Sequence, residues 1–151
     1  MIVYLKNDLL DRIMSTDHET FVIVPIYVNG FIQDSTIRKL AQIEPSIQAS
    51  IRMSKDVMPY VLLPEWDTQI VFIRCLYPTL SGDCIHMKTF EDYFYKIMEG
   101  LVKNCEGEPP VYFVEPFLDN DNLQMNILDI VEECSTKNLV DLVYCNCHLI
   151  L

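Results

Sequence analysis

Few side chains in this sequence are grouped as chemistry requires, and they fall in a handful of short stretches. Asp119-Asn120-Asp121-Asn122 sets two carboxylates on either side of an amide. That is a donor set for a hard cation such as Mg²⁺ or Ca²⁺, or ordinary loop and N-cap chemistry in which the side chains bond nearby backbone. Asn29-Gly30 reads first as a tight turn, with the Asn29 amide as a candidate ligand contact or catalytic group. Asp8 is either a turn residue capping the segment behind it or a ligand contact. Cys145-Asn146-Cys147-His148 has metal-ligand types. It lacks the spacing of a zinc knuckle and has no second Cys or His pair at a useful distance, so no metal site is expected. His18 and His86 stand alone in connections, without the Ser or Cys partners of a triad, and both are expected at the surface. No nucleophile elbow, P-loop or dinucleotide glycine fingerprint occurs.

The elements that must position these residues follow from hydrophobic periodicity. Ile2–Leu5 is a short strand. Phe21–Val28 is apolar on both parities, as a strand covered on both faces should be, and Pro25 within it requires a bulge or an end nearby. Asp34 or Ser35 caps a helix carrying Ile37, Leu40 and Ala41, and Pro45 opens a second helical turn with Ile47 and Ile51. Tyr60–Leu63 and Ile70–Leu76, joined by a short polar link holding Trp66, read as an antiparallel hairpin. Thr89 with Asp92 resembles a capping box. Phe90, Tyr93, Phe94, Ile97, Leu101 and Val102 then form one helical stripe, a core face rather than a cofactor box. Val111–Val114 is a strand. Ile127, Ile130, Val131 and Cys134 mark a helix, and Leu139–Cys145 a last strand. Strands alternating with crossover helices predict an α/β fold, a three-layer α/β/α sandwich with a mixed, largely parallel central sheet. In such folds ligands bind beyond the carboxyl ends of the parallel strands. Val28–Ser35 and Pro116–Asn122 are the loops at that place.

With 151 residues and 50% hydrophobic content, the chain is expected to be one domain over 1–151 with a sizeable core. It holds no apolar run long enough to span a bilayer. Its opening reads as a strand rather than a leader. Cys75 lies in an apolar run and Cys134 on an apolar helix face, whereas Cys84 and Cys105 fall in or beside connections. Reduced thiols and a cytoplasmic, intracellular, reducing location are therefore expected. Residues 1–90 carry 8 basic and 10 acidic side chains, and residues 91–151 carry 3 and 12. So acidic a second half repels a phosphate backbone, which argues against direct nucleic-acid binding. It would attract a basic protein or serve only solubility.

The order of elements and the loop positions resemble a macro domain, the module that recognises ADP-ribose and its derivatives, and within it the compact ADP-ribose 1″-phosphate phosphatase-like group. Tyr4-Leu5-Lys6-Asn7-Asp8-Leu9-Leu10 resembles the family's strand followed by Lys-Gly-Asp-Leu/Ile. Phe21 to Pro45 resembles its second strand, first ligand loop and helix. Val114 to Asp121 resembles its Pro-x-Ile-Gly-x-Gly loop. The resemblance implies ligand contacts at Asp8, Leu9, Asn29, Gly30, Phe31, Phe117, Leu118, Asp119 and Asn120, with Asp8 on the adenine amino group and no cofactor. The departures are chemical. Gly becomes Asn7, the first loop keeps only Gly30, and Asp119 and Asp121 replace both glycines of the second. A phosphate cradle needs inward backbone N–H groups and no side chain in the way, and paired carboxylates repel a diphosphate.

Three functions are weighed. The leading one is a diverged, non-hydrolytic macro-like domain that binds a nucleotide or ADP-ribose-type ligand weakly or uses the old cleft for a protein. The alternative is an acidic interaction or inhibitor protein docking on a basic partner. That reading expects a cleft filled by Phe31 and Phe117, and contiguous acidic surface from Glu91, Asp92, Glu132 and Glu133. The third is an active ADP-ribose-derivative hydrolase or phosphatase with Asn29 and Asp119 as catalytic groups. A small, acidic, heavily diverged chain also suggests a viral or phage protein.

Overall fold

The computed structural model describes residues 2–5, 20–61, 68–104, 111–118, 120–137 and 143–146. In chain order the elements are β1 (Ile2–Leu5), β2 (Thr20–Tyr27), α1 (Ser35–Ile43), α2 (Ser46–Met53), β3 (Val57–Val61), β4 (Thr68–Thr79), β5 (Gly82–Ile85), α3 (Met87–Asn104), β6 (Val111–Val114), α4 (Asp121–Lys137) and β7 (Val143–Asn146). The strands form a 7-stranded sheet in the order β1-β7-β6-β2-β4-β3, with β5 paired to β4. β1, β7, β6, β2 and β4 run parallel, while β3 and β5 join β4 antiparallel. This is the mixed, largely parallel α/β/α sandwich that the alternation of strands and helices predicts.

The two helical layers follow from period-2 alternation along β2. Val22, Val24 and Ile26 pack with Ile37, Leu40, Ile47 and Ile51 of α1 and α2. Phe21, Ile23 and Tyr27 pack with Phe90, Phe94, Ile127 and Val131 of α3 and α4. All residues of β2 are buried, as its unbroken apolar run requires. Phe90, Phe94 and Phe113 form an aromatic cluster, with ring centroids 5.4 to 5.7 Å apart. Those contacts place Phe90 and Phe94 of the helical stripe in the core, with Tyr93 and Ile97 partly buried against it. Cys75 and Cys134 are fully buried, as their apolar settings imply.

Pro25 has close by both the irregularity and the strand end that its missing N–H predicts. β6 pairs with β2 only over Phe21–Ile23, so beyond that point β4 is the sole ladder neighbour of β2 among the described residues. Pro25 sits in this one-sided stretch, where a missing N–H donor is tolerated, and the register with β4 shifts between Ile26 and Tyr27.

Several expectations need correction. α3 starts at Met87, so Thr89 is inside its first turn. The cap acceptor is His86 Nδ1, which takes the Thr89 N–H at 3.2 Å and sits 2.5 Å from Thr89 Oγ1. Cys84 is not in a connection but on β5, a strand too short and polar for periodicity to reveal. Asp121 and Asn122 belong to the first turn of α4 and not to the loop. His18, Trp66 and Cys105 lie outside the described residues. None of the helices among those residues is long and apolar enough to cross a membrane, and no group of His, Cys, Asp or Glu there could hold a metal ion.

Candidate functional site

All the parallel strands exit at one end of the sheet, and three connections meet there: 28–34 after β2, the β4–β5 hairpin, and 115–120 after β6. The first is a tight turn. Gly30 N donates to Tyr27 O at 2.8 Å, and Tyr27 N to Phe31 O at 3.0 Å. Gly30 has φ 92°, and a Cβ there would stand 3.0 Å from Ile51 Cγ2, so glycine is demanded by both conformation and space. Asn29 Oδ1 accepts from Phe31 N at 3.0 Å, the side-chain-to-backbone bond typical of Asn in turns. The turn is held from below by Arg74, which follows Ile70 and Phe72 on the same face of β4. Its guanidinium donates to Val28 O at 3.2 Å, to Ile51 O, and to Ser54 O at 2.8 Å. It thus ties the turn to the C-terminal end of α2, where a cation is favoured.

After β6 the chain is equally well held. Gln124 of α4 reaches back to donate to Pro116 O at 2.7 Å. Asn120 caps α4, its Oδ1 accepting from Asn122 N at 3.0 Å and Leu123 N at 3.3 Å. Leu118 is buried, whereas Phe117 is 46% exposed.

The half-buried side chain of Gln33 joins the two loops. Its Oε1 accepts from Phe117 N at 2.8 Å while its Nε2 donates to Phe117 O at 2.7 Å, so one carboxamide satisfies both polar groups of one residue. The same Nε2 is 3.3 Å from Asp83 Oδ2 on β5, which also accepts from Tyr27 Oη. Burial, then the hydrogen bond to Asp83 and its negative charge, push the Tyr27 hydroxyl up to about 12. Gln33, Asp83 and Tyr27 thus pin all three connections together. Beside this network is a polar cavity of about 620 Å³, lined by the hairpin (Thr79, Ser81, Asp83, Cys84) and the start of α4 (Asn120, Asp121). Its walls offer hydroxyls, amides and two carboxylates, a surface suited to hydrogen-bonding a polyhydroxylated ligand more than to cradling an anion.

No family model matches the sequence, and no curated protein matches it significantly. Solved structures do match. A macrodomain protein from Streptomyces coelicolor superposes with a TM-score of 0.72 at 9% identity, over 97% of this chain and 99% of that one. The macrodomain of Thermus aquaticus DarG gives 0.67 at 10% identity, over 97% and 98%. This chain has the macrodomain fold. A protein from Bacteroides thetaiotaomicron, at TM-score 0.72 and 9% identity over 97% of this chain and 100% of that one, shares it.

Within that macrodomain frame the site residues read from sequence divide cleanly. Asn29, Gly30, Phe31, Phe117, Leu118 and Asn120 all lie at the exit end of the sheet. Asp8, Leu9 and Asp119 fall outside the described residues. Phe31 and Phe117 are 52% and 46% exposed, and the contact between the loops is made by Gln33. Gln33, Asp83 and Arg74 were not singled out from the sequence. Arg74 left a signal, a lone charge inside Ile70–Leu76, because a cation in a buried strand must have partners. Gln33 and Asp83 left none, being ordinary polar residues in connections.

Proposed function

We propose that this macrodomain-fold chain is a non-hydrolytic binding module that takes an ADP-ribose-type ligand weakly at the exit end of its parallel strands. The observation that carries this reading is the 620 Å³ cavity at that end, the size of a small-molecule site, where α/β sheets place their ligands. Weak binding follows from the local chemistry. The Phe117 N–H, a natural phosphate donor, is held by Gln33, and Asp83 and Asp121 in the cavity wall repel a diphosphate. Non-hydrolytic behaviour follows from Asn29, whose amide oxygen is committed to its own turn.

The test is calorimetric titration of the purified chain with ADP-ribose, with and without Mg²⁺. Expected are binding weaker than micromolar, its loss in Asp8→Ala, tighter binding in Asp121→Asn, and no turnover of ADP-ribose 1″-phosphate. No heat and no thermal shift at millimolar ligand would sink the reading, and turnover abolished by Asn29→Ala would overturn its non-hydrolytic half.

A second reading, an acidic face for a basic protein, is favoured by one observation. Glu91 and Asp92 of α3 and Glu132 and Glu133 of α4 are all exposed. The Tyr95 hydroxyl between these packed helices is raised by burial, then by the charge of Glu133, with Glu91 also contributing. The two helices lie in contact, and each carries exposed carboxylates. A basic partner bound there would be released as salt rises.

A further inference from the structure

The Asn29–Phe31 turn faces α2. There Asn29, Gly30, Phe31, Gln48, Ile51 and Arg52 line a cavity of about 240 Å³ that shares no residue with the one above. Phe31 stands beside it 52% exposed, and the Arg38 guanidinium lies 5.6 Å from its ring centroid. The segment is richer in exposed cations than the rest of the molecule. Residues 34–56 hold Arg38, Lys39, Arg52 and Lys55, all exposed, against the buried Asp34 and against Glu44 and Asp56, in a chain of net charge −11. Asp56 accepts from Tyr93 Oη at 3.2 Å. The backbone around the cavity is fixed in advance by Arg74 and by the Asn29–Phe31 bond, so a partner need not order it. An exposed aromatic ring, arginines and a preformed pocket are what anchor protein interfaces.

We propose that this surface is a docking site for an acidic peptide segment of another protein. A carboxylate of the segment enters beside Arg52 and Gln48, and an adjacent apolar side chain packs on Phe31 and Ile51. A long polyanion is disfavoured by the net charge, whereas a short acidic segment with an apolar residue meets both halves of the site. The site shares no lining residue with the 620 Å³ cavity proposed for the ADP-ribose-type ligand, so peptide and nucleotide titrations test the two readings separately.

The probe is a short labelled peptide of alternating glutamate and leucine, followed at low salt by fluorescence anisotropy and by backbone amide shifts of the full chain. Expected are saturable binding, shifts centred on residues 29–31 and 48–52, and loss of affinity by about tenfold or more in Arg52→Glu and in Phe31→Ala, as for anchor residues. Arg52→Lys should retain most of the binding. Both positions are exposed, so the variants keep the fold, which thermal melting checks. The proposal is overturned if the peptide does not bind, if Arg52→Glu binds it unchanged, or if an alternating lysine–leucine peptide binds equally well. Concentration-dependent sedimentation of the chain alone, abolished by Arg52→Glu, would make the occupant a second copy and overturn the commitment to a different protein.

Discussion

The Gln33 carboxamide satisfies the N–H and the C=O of Phe117 together, so Gln33→Ala leaves both without partners in protein. Because the site is half-open to water, the expected cost is about 1–2 kcal/mol rather than that of two fully buried orphans. Denaturant titration measures it, and faster hydrogen exchange at the Phe117 amide locates it. ADP-ribose affinity should rise in the same variant, since the freed N–H can serve a phosphate. Residues of this kind set the limit of sequence reading. Asn29 and Gly30 are legible because their turn is local, and the alternation of Ile and Phe exposes Arg74 as an outlier. The role of Gln33 depends on a residue 84 positions away, and nothing in its neighbourhood announces it.

At the scale of elements, local chemistry was a better guide to where chains turn than to where helices begin. α1 starts as expected, because Asp34 Oδ1 accepts from Ile37 N at 3.0 Å. Asp34→Ala should destabilise the fold by about 1 kcal/mol. α3 does not start at Thr89, since the imidazole of His86 supplies the acceptor a capping search assigns to Ser, Thr, Asp or Asn. Gly30→Ala is the harsher element-level change. It forces a side chain into φ 92° and against Ile51, at a cost of about 1–3 kcal/mol. Its melting temperature should fall accordingly, and binding of the acidic probe peptide should weaken with it. β2 and β6, buried on both faces, were read to within a residue, whereas β4 runs Thr68–Thr79 instead of Ile70–Leu76 and β3 Val57–Val61 instead of Tyr60–Leu63. β5 was missed because it is short, carries Gly82 and Asp83, and is a strand only through its partner β4.

For the whole molecule, the layered fold was legible because strand and helix periods alternate along almost the entire chain. The site was not, because residues such as Gln33 and Asp83 act through partners far along the chain. Packing also sets a response to alkali. Burial pushes the Cys75 thiol from 9.0 up to about 12, and Tyr27 is raised from 10.0 to about 12 by burial and Asp83. The unfolded chain releases both protons at lower pH than the folded one. Stability is therefore full below about pH 9 and falls as pH rises from there toward 12. Denaturation midpoints taken across the alkaline range should decline, and Cys75→Ala should flatten the first part of that decline.

The sheet order has a consequence for how the protein is made. β1 is laid against β7, with Ile2 opposite Val143, and meets no other strand among the described residues. A ribosome therefore releases β1 long before the template it pairs with exists, and β7 in turn needs β6. The inner strands β2, β4 and β3 can associate while synthesis continues, whereas the β1 edge must wait for nearly the last described element. A nascent chain stalled before Val143 would hold β1 without this partner, an open edge of the sort that chaperones shield and aggregates recruit.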